Sequence, residues 1–264
     1  MSPQINLTLS KEAGLVSLHS STIKRIIIPL LIIACELCSV SSVAAQRRRV
    51  SGVGSRSAIV VDERLAALRD GPDLSAQLLH RLSRGRVVLI LGARRSADGL
   101  TFYRVAVTKR TGGWLQSEAL ISPARSEDDE RLLRLIRGSD DFDRIARARI
   151  FLDLFPRSAL RPQVLMIYAE GAEAAASRLS RDAVRRLNER EMTAGGAPVF
   201  SYFMSYNGLD RYRRQGITFI FNRASKQFHY DGEGWREIVR RYPRSAEAAE
   251  ARRRLGLLSV SNTQ

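Results

Sequence analysis

The chain predicts a fold in two parts, an all-β unit followed by an all-α unit, the first a small β-barrel and the second a set of helical hairpins. Three observations predict it. From Ala58 to Ile121 short aliphatic and β-branched runs alternate with turn residues at the spacing of a small all-β barrel. From Asp128 onward the apolar residues recur at intervals of three and four, which is the stripe of an amphipathic helix. The phrase Phe155-Pro156-Arg157-Ser158-Ala159 returns as Tyr242-Pro243-Arg244-Ser245-Ala246, each copy between an amphipathic segment and an alanine-rich one.

Residues 1–45 read as an export signal. Lys24 and Arg25 precede the apolar run Ile26 to Ala34, and Val43-Ala44-Ala45 before Gln46 has the small residues that a signal peptidase cleaves after. Two other readings stay open. Ile32-Ile33-Ala34-Cys35 reads as a lipid-attachment box that leaves Cys35 acylated, and Ile26 to Ala45 has the length of a membrane anchor, although Glu36 and several serines weaken it. Both cysteines, Cys35 and Cys38, lie in this segment, so cleavage at Ala45 leaves no thiol for a disulfide, a nucleophile or a zinc ligand. His80 and His229 then stand alone in their neighbourhoods, whereas a zinc site draws on clustered ligands; no metal and no cofactor are expected. Residues 46–57, with three consecutive arginines, read as a flexible basic linker.

Charge divides the remainder unequally. Residues 46–126 hold 15 Lys and Arg against 6 Asp and Glu, while residues 127–264 hold 25 against 19, so the formal net charge of +16 is concentrated toward the front of the chain. A cationic surface attracts anionic polymers, phospholipid headgroups and acidic partners over long range, and salt weakens the attraction.

Strands are expected at Ala58 to Val61, Leu65 to Leu68, Ala76 to Leu82, Val87 to Leu91, Phe102 to Val107 and Gly113 to Leu115. Asp70-Gly71-Pro72-Asp73 has turn chemistry, and Ser96 to Gly99 and Lys109 to Gly112 read as hairpin tips. Alternation sets Val87, Leu89 and Leu91 on one face and Val88 and Ile90 on the other. In this order and spacing, Arg69-Asp70-Gly71-Pro72, Leu82-Ser83-Arg84-Gly85 leading into Val87-Val88-Leu89, and Gly113-Trp114-Leu115 before Leu120-Ile121 resemble a bacterial SH3-like domain over residues 58–122. The family's usual Asn two residues before the motif arginine is Ala67 here. The resemblance implies a non-catalytic module that holds cell-wall material or another protein in the bacterial envelope. Candidate ligand-binding residues are Arg69, Arg94, Arg95, Tyr103 and Trp114. Against three of them stands a structural role: Trp114 as a barrel-end residue, Arg69 as a turn brace, and one of Phe102 and Tyr103 turned inward by alternation.

Residues 127–258 are expected to be helical. Asp128-Asp129-Glu130 supplies the acidic first turn that a helix N-terminus favours. A second helix over Asp140 to Phe155 carries Ile145, Ala148, Leu152 and Phe155 on one stripe and stops at Pro156. Helices are also expected over Val164 to Leu179 and Asp182 to Met192, with Gly195-Gly196-Ala197-Pro198 as a break before the aromatic cluster Phe200, Tyr202, Phe203 and Tyr206. Gly216 to Phe221 departs toward a strand, and Trp235 to Leu255 forms the clearest hairpin. Ser158 and Ser245 are expected to cap the helix after each proline. The repeated phrase resembles the inter-helix turn of tetratricopeptide-type repeats in exported bacterial proteins; the 87-residue separation of its copies is not a multiple of that family's period. The resemblance implies protein docking on a concave face.

Catalysis finds little support. His80 and His229 fall on separate elements, so no serine triad assembles, and Asp140, Asp141 and Asp143 sit where a helix start uses acids electrostatically. The expectation is an exported, non-enzymatic envelope protein that is tethered by the β unit and docks a protein through the helical unit. Its partners would be an envelope protein or a cell-wall polymer, with an anionic membrane surface as a further surface of contact. A basic nucleic-acid-binding protein is the alternative, which the pI near 10.9 favours and export opposes.

Overall fold

The first strand, β1 (Ser57–Val60), is buried along its whole length, and the reason lies in its unbroken run of apolar residues. Alternation turns Ala58 and Val60 toward a core shared with Leu68, Val88, Val105, Leu115 and Leu120. Ile59, together with Val61, turns the opposite way into a core built mainly by helices. A strand covered on both faces reads as a continuous apolar run rather than as an alternation.

This computed structural model describes residues 56–261. The signal segment with its cleavage point at Ala45, Cys35 and Cys38, and most of the basic linker lie outside the described residues. Six more strands follow β1: β2 (Ala67–Arg69), β3 (Leu78–Arg81), β4 (Val87–Arg95), β5 (Thr101–Ala106), β6 (Gly112–Gln116) and β7 (Leu120–Ile121). They form an antiparallel sheet in the order β3-β2-β6-β5-β4-β1-β7, with a 3-10 turn, Ser117–Ala119, between β6 and β7. The two expected hairpin tips fall where the turn residues placed them: Gly99 takes a φ of +77°, and Val107 N–H donates to Thr111 O across the second tip at 2.8 Å. Strand β4 runs four residues beyond the expected Leu91, with a register shift between Ile90 and Gly92. Gly113 is required by packing, since a Cβ there would stand 2.5 Å from the carbonyl oxygen of Arg69.

The helical region begins with α1 (Asp128–Arg137) and α2 (Asp141–Leu154), and continues with α3 (Arg161–Arg186), α4 (Glu189–Gly195), α5 (Val199–Met204) and α6 (Asp210–Arg213). A hairpin of β8 (Phe219–Asn222) and β9 (Gln227–Tyr230) intervenes before α7 (Glu233–Arg241) and α8 (Glu247–Ser261). The expected break between Leu179 and Asp182 does not occur. No Gly or Pro stands there, and Ser180 turns inward to donate to Ala176 O at 2.8 Å, so α3 runs unbroken for 26 residues. It ends before Asn188, whose side chain accepts from Arg190 N–H and caps α4. Phe203 and Tyr206 of the aromatic cluster are buried, and His229 belongs to β9.

Both copies of the repeated phrase make the same turn. Phe155 N–H donates to Phe151 O and Tyr242 N–H to Ile238 O, and the N–H groups of Ser158 and Ser245 donate to the carbonyls three residues before them. The serine side chains diverge from the expected caps. Ser158 Oγ donates to Asp129 Oδ2 at 2.7 Å and accepts from Leu160 N–H, while the buried Ser245 Oγ has no partner among the described residues. The helices begin at Arg161 and Glu247, three and two residues past the serines, so neither serine stands immediately before the first helical residue.

The β and helical regions cluster as one compact unit. Ile59, Val61 and Ile121 enter the helical core, and polar groups close the seam around them. The buried Arg147 of α2 donates from Nε to Val61 O at 3.0 Å and from NH1 to Ser139 Oγ at 2.6 Å. Arg84, in the turn before β4, binds Asp143 through both guanidinium nitrogens at 2.8 and 2.9 Å. The expected helix-start acids are thus ion-pair partners as well, since Asp141 also meets Arg178 at 2.8 Å.

Candidate binding surface

Residues directly opposite each other on neighbouring strands share a face, so the strand register sorts the candidate residues. Arg69 of β2 stands opposite Leu78 of β3 and Trp114 of β6; Trp114 stands opposite Arg104 of β5, which stands opposite Gly92 of β4. The row Leu78–Arg69–Trp114–Arg104 therefore crosses the outer face of the sheet, away from the β core that takes Leu68 and Leu115. Arg94 stands opposite Phe102 and belongs to this face too.

Tyr103 and Arg95 do not. Tyr103 pairs with Leu115, whose side chain is in the β core, and packs against that core itself, while Arg95 pairs with Thr101. The candidate residues are thus divided between two faces. Neither ring of the Phe102–Tyr103 pair is free: Phe102 is buried, and the Arg125 guanidinium carbon lies 5.5 Å from the centre of the half-buried Tyr103 ring. Two arginines also brace turns. Arg69 NH1 donates to Ala76 O at 2.6 Å and Arg95 Nε to Gly99 O at 3.0 Å. Trp114 and Arg94 make no side-chain hydrogen bond or ion pair among the described residues.

Two neighbours of this row were not among the candidate binding residues, although alternation had already set the second of them on one face of its strand. Arg104 follows Tyr103 without any motif of its own, and only the register reveals that it flanks Trp114. The other is an apolar strip on the same face, Val87, Leu89 and Leu91, whose exposures of 40, 43 and 55 % mark it as uncovered where Ile59, opposite Val87, is sealed by helices. Contiguous exposed apolar groups rimmed by charge are the signature of a contact surface.

Electrostatics distinguishes the β region further. Among the described residues Arg56, Arg81, Arg86, Arg94, Arg104, Lys109 and Arg110 are exposed and form no ion pair with a carboxylate. Several carboxylates of the same region are engaged locally. Asp62 accepts from Arg64 at 2.6 and 2.9 Å, and this hydrogen bonding holds its carboxyl below the usual carboxylate range. Glu63 accepts from Arg84 N–H, and Asp73 from the N–H and Oγ of Ser75. The surface field of the β region is therefore positive, and it is available to a ligand.

His80 lies on β3 and His229 on β9, and among the described residues no group of three His, Cys, Asp or Glu stands as metal ligands do. Among the same residues no helix is long and apolar enough to cross a membrane. Compared with known proteins, the chain matches no family model, no curated protein and no solved structure.

Proposed function

We propose that this chain is a non-catalytic binding protein of the bacterial envelope, in which an SH3-like β module holds an anionic cell-wall polymer or protein on its outer face and the helical region docks a second protein. The observation that carries the reading is the row Leu78–Arg69–Trp114–Arg104, in which the register sets an aromatic residue between two arginines on the outer face of a β region with several exposed, unpaired cations. Trp supplies a large apolar contact with a polar N–H, and Arg binds planar anions through paired donors. The SH3-like assignment draws support from a β1 flanked by β4 and β7, and from the 3-10 turn before the closing strand. The tetratricopeptide-like assignment draws support from the two equivalent proline turns. Export rests on Lys24, Arg25, the apolar run to Ala34 and the small residues ending at Ala45.

Retention of the full chain on purified sacculi, with and without Trp114→Ala and Arg104→Ala together, tests the proposal. Loss of two such contacts is expected to weaken retention by about tenfold or more; undiminished retention would remove the outer face from the reading. The basic surface also favours nucleic acid, and titration with DNA at several salt concentrations separates the two. Tight binding that falls steeply with salt, together with no retention on sacculi, would overturn the envelope assignment.

A further inference from the structure

The β8–β9 hairpin is welded to α3 by Ser180, whose Oγ accepts from Phe228 N–H at 2.8 Å while donating to the helix. Beyond this weld, the tip of the hairpin and the end of α3 border an open, solvent-facing cavity of about 460 Å3 lined mostly by exposed side chains. Arg181, Val184 and Arg185 line it from the helix, and Ser225, Lys226 and Gln227 line it from the hairpin. That volume lies in the range of small-molecule sites.

Three cations around one cavity repel each other. Arg181 and Arg185 are one helical turn apart, a spacing at which like charges are destabilising, and Lys226 faces them from a different element. Only part of this charge is neutralised within the fold: Arg185 pairs with Asp182, and Lys226 Nζ stands 3.5 Å from Glu189, whereas Arg181 has no ion pair or hydrogen bond among the described residues. Compensation of the α3 dipole does not account for the set, because that effect is confined to the last turn of a helix. Arg181 lies before that turn, and Lys226 is not on the helix.

The hairpin tip holds Lys226 in place by an unusual backbone. Its φ of +54° lies in the left-handed region that a lysine rarely takes, and Asn222 Oδ1 shapes the turn by accepting from the N–H groups of Ala224 and Ser225 at 2.9 and 3.0 Å. Strained positions of this kind persist where the surroundings impose them, and they gather at ligand sites. The side chains of Ser225 and Gln227 form no hydrogen bond among the described residues, so a hydroxyl and an amide also remain to donate. Val184, 56 % exposed, supplies an apolar wall.

We infer that this cavity binds a small organic phosphate, with the phosphate received by Arg181, Lys226, Arg185 and the Ser225 hydroxyl and the organic part lying against Val184. Charge-assisted bonds from several donors suit a dianion, and the ligand relieves the repulsion that the free protein carries. The site is separate from the outer face of the sheet, and its existence does not depend on what that face binds.

The probe is phenyl phosphate, titrated into the full chain and followed by amide chemical shifts, with phenol and inorganic phosphate as controls. Saturable shifts confined to residues 180–185 and 225–227 are expected, tighter than with either control. Arg181→Gln and Lys226→Asn are each expected to weaken binding by about tenfold. Asparagine tolerates the left-handed backbone, so Lys226→Asn removes the charge without adding strain, and an unchanged thermal midpoint will show that the fold is intact. No saturable shift, equal binding of phenol, or full affinity in the Arg181→Gln, Lys226→Asn double variant would overturn the proposal.

Discussion

In the helical region arginine works inside the structure: Arg161 reaches Leu152 O and Glu237, Arg254 joins Glu250 to Glu173, and Arg149 holds Asp153. In the β region most exposed arginines have no carboxylate partner, and of that region's cations only Arg64 and Arg84 form ion pairs among the described residues. The two regions thus use one residue type for different ends. Paired arginines brace their own helices and, at Arg161 and Arg254, tie one helix to another, whereas unpaired ones leave a positive field on the sheet. The contrast is one of degree and follows in part from supply, since residues 46–126 hold 6 Asp and Glu against 19 in residues 127–264, and Arg181 of the helical region is unpaired as well.

The two tryptophans give the strongest test of this contrast. Trp235 is fully buried in α7, and its indole N–H donates to Glu173 at 2.7 Å, so Trp235→Ala is expected to cost about 3–5 kcal/mol in denaturant unfolding. Trp114→Ala, on the outer face, is expected to cost about 1 kcal/mol or less and to act on ligand retention instead. Equal losses of stability at both positions would break the comparison. Next in size is the seam. Arg147→Met keeps much of the volume but leaves Val61 O and Ser139 Oγ without their donor, at about 2–3 kcal/mol by urea midpoint.

Alkaline pH sharpens the contrast from the side of the helices. Burial pushes the Tyr168 phenol up to about 12 and raises Tyr230 as well. Both phenols stay neutral in the fold while an unfolded tyrosine ionises near 10, so their contribution is complete below about pH 10 and is lost as pH rises toward the folded values. For Tyr168 the loss amounts to about 2–3 kcal/mol between about pH 10 and 12, and Tyr168→Phe is expected to flatten that part of the stability profile. The smallest effects belong to surface charge. Arg94→Gln and Arg104→Gln are expected to change stability by less than about 0.5 kcal/mol, and Arg254→Gln, which breaks two ion pairs, by up to about 1 kcal/mol. Calorimetry of the three variants at one salt concentration orders them; a larger loss at Arg94 or Arg104 than at Arg254 would place those arginines in the structural class.

Much of the fold was legible in the residues. The strand starts, both hairpin tips, the acidic start of α1, the proline turns at Pro156 and Pro243 and the β8–β9 departure all follow from turn chemistry and period, which act over a few residues. The misreadings have physical causes of the same kind. The expected stop after Leu179 failed because Ser180 found a partner within its own helix and another in β9, a contact made across 48 positions of sequence. Ser158 and Ser245 failed as caps because their helices begin at Arg161 and Glu247, so neither serine immediately precedes its helix; Ser158 Oγ turns to Asp129 instead, and Ser245 Oγ is left without a partner among the described residues. The candidate surface was legible in type but not in arrangement. Arg69, Arg94 and Trp114 share a face, while Arg95 and Tyr103 pass to the other, and Arg104 joins the row without a motif to announce it.

The sequence by itself determined the order of the regions, the continuous apolar run of β1 and the excess of cations toward the front of the chain, since these depend on local periodicity and composition. Only the tertiary structure decided which residue stands opposite which, that Ile59 and Ile121 serve the helical core while Val87 and Leu89 stay exposed, and that Lys226 meets Arg181 across a cavity. A strand's alternation is written in its own residues. Its register, and the cover over each face, come from partners far along the chain, where a shift of one residue would exchange the two faces.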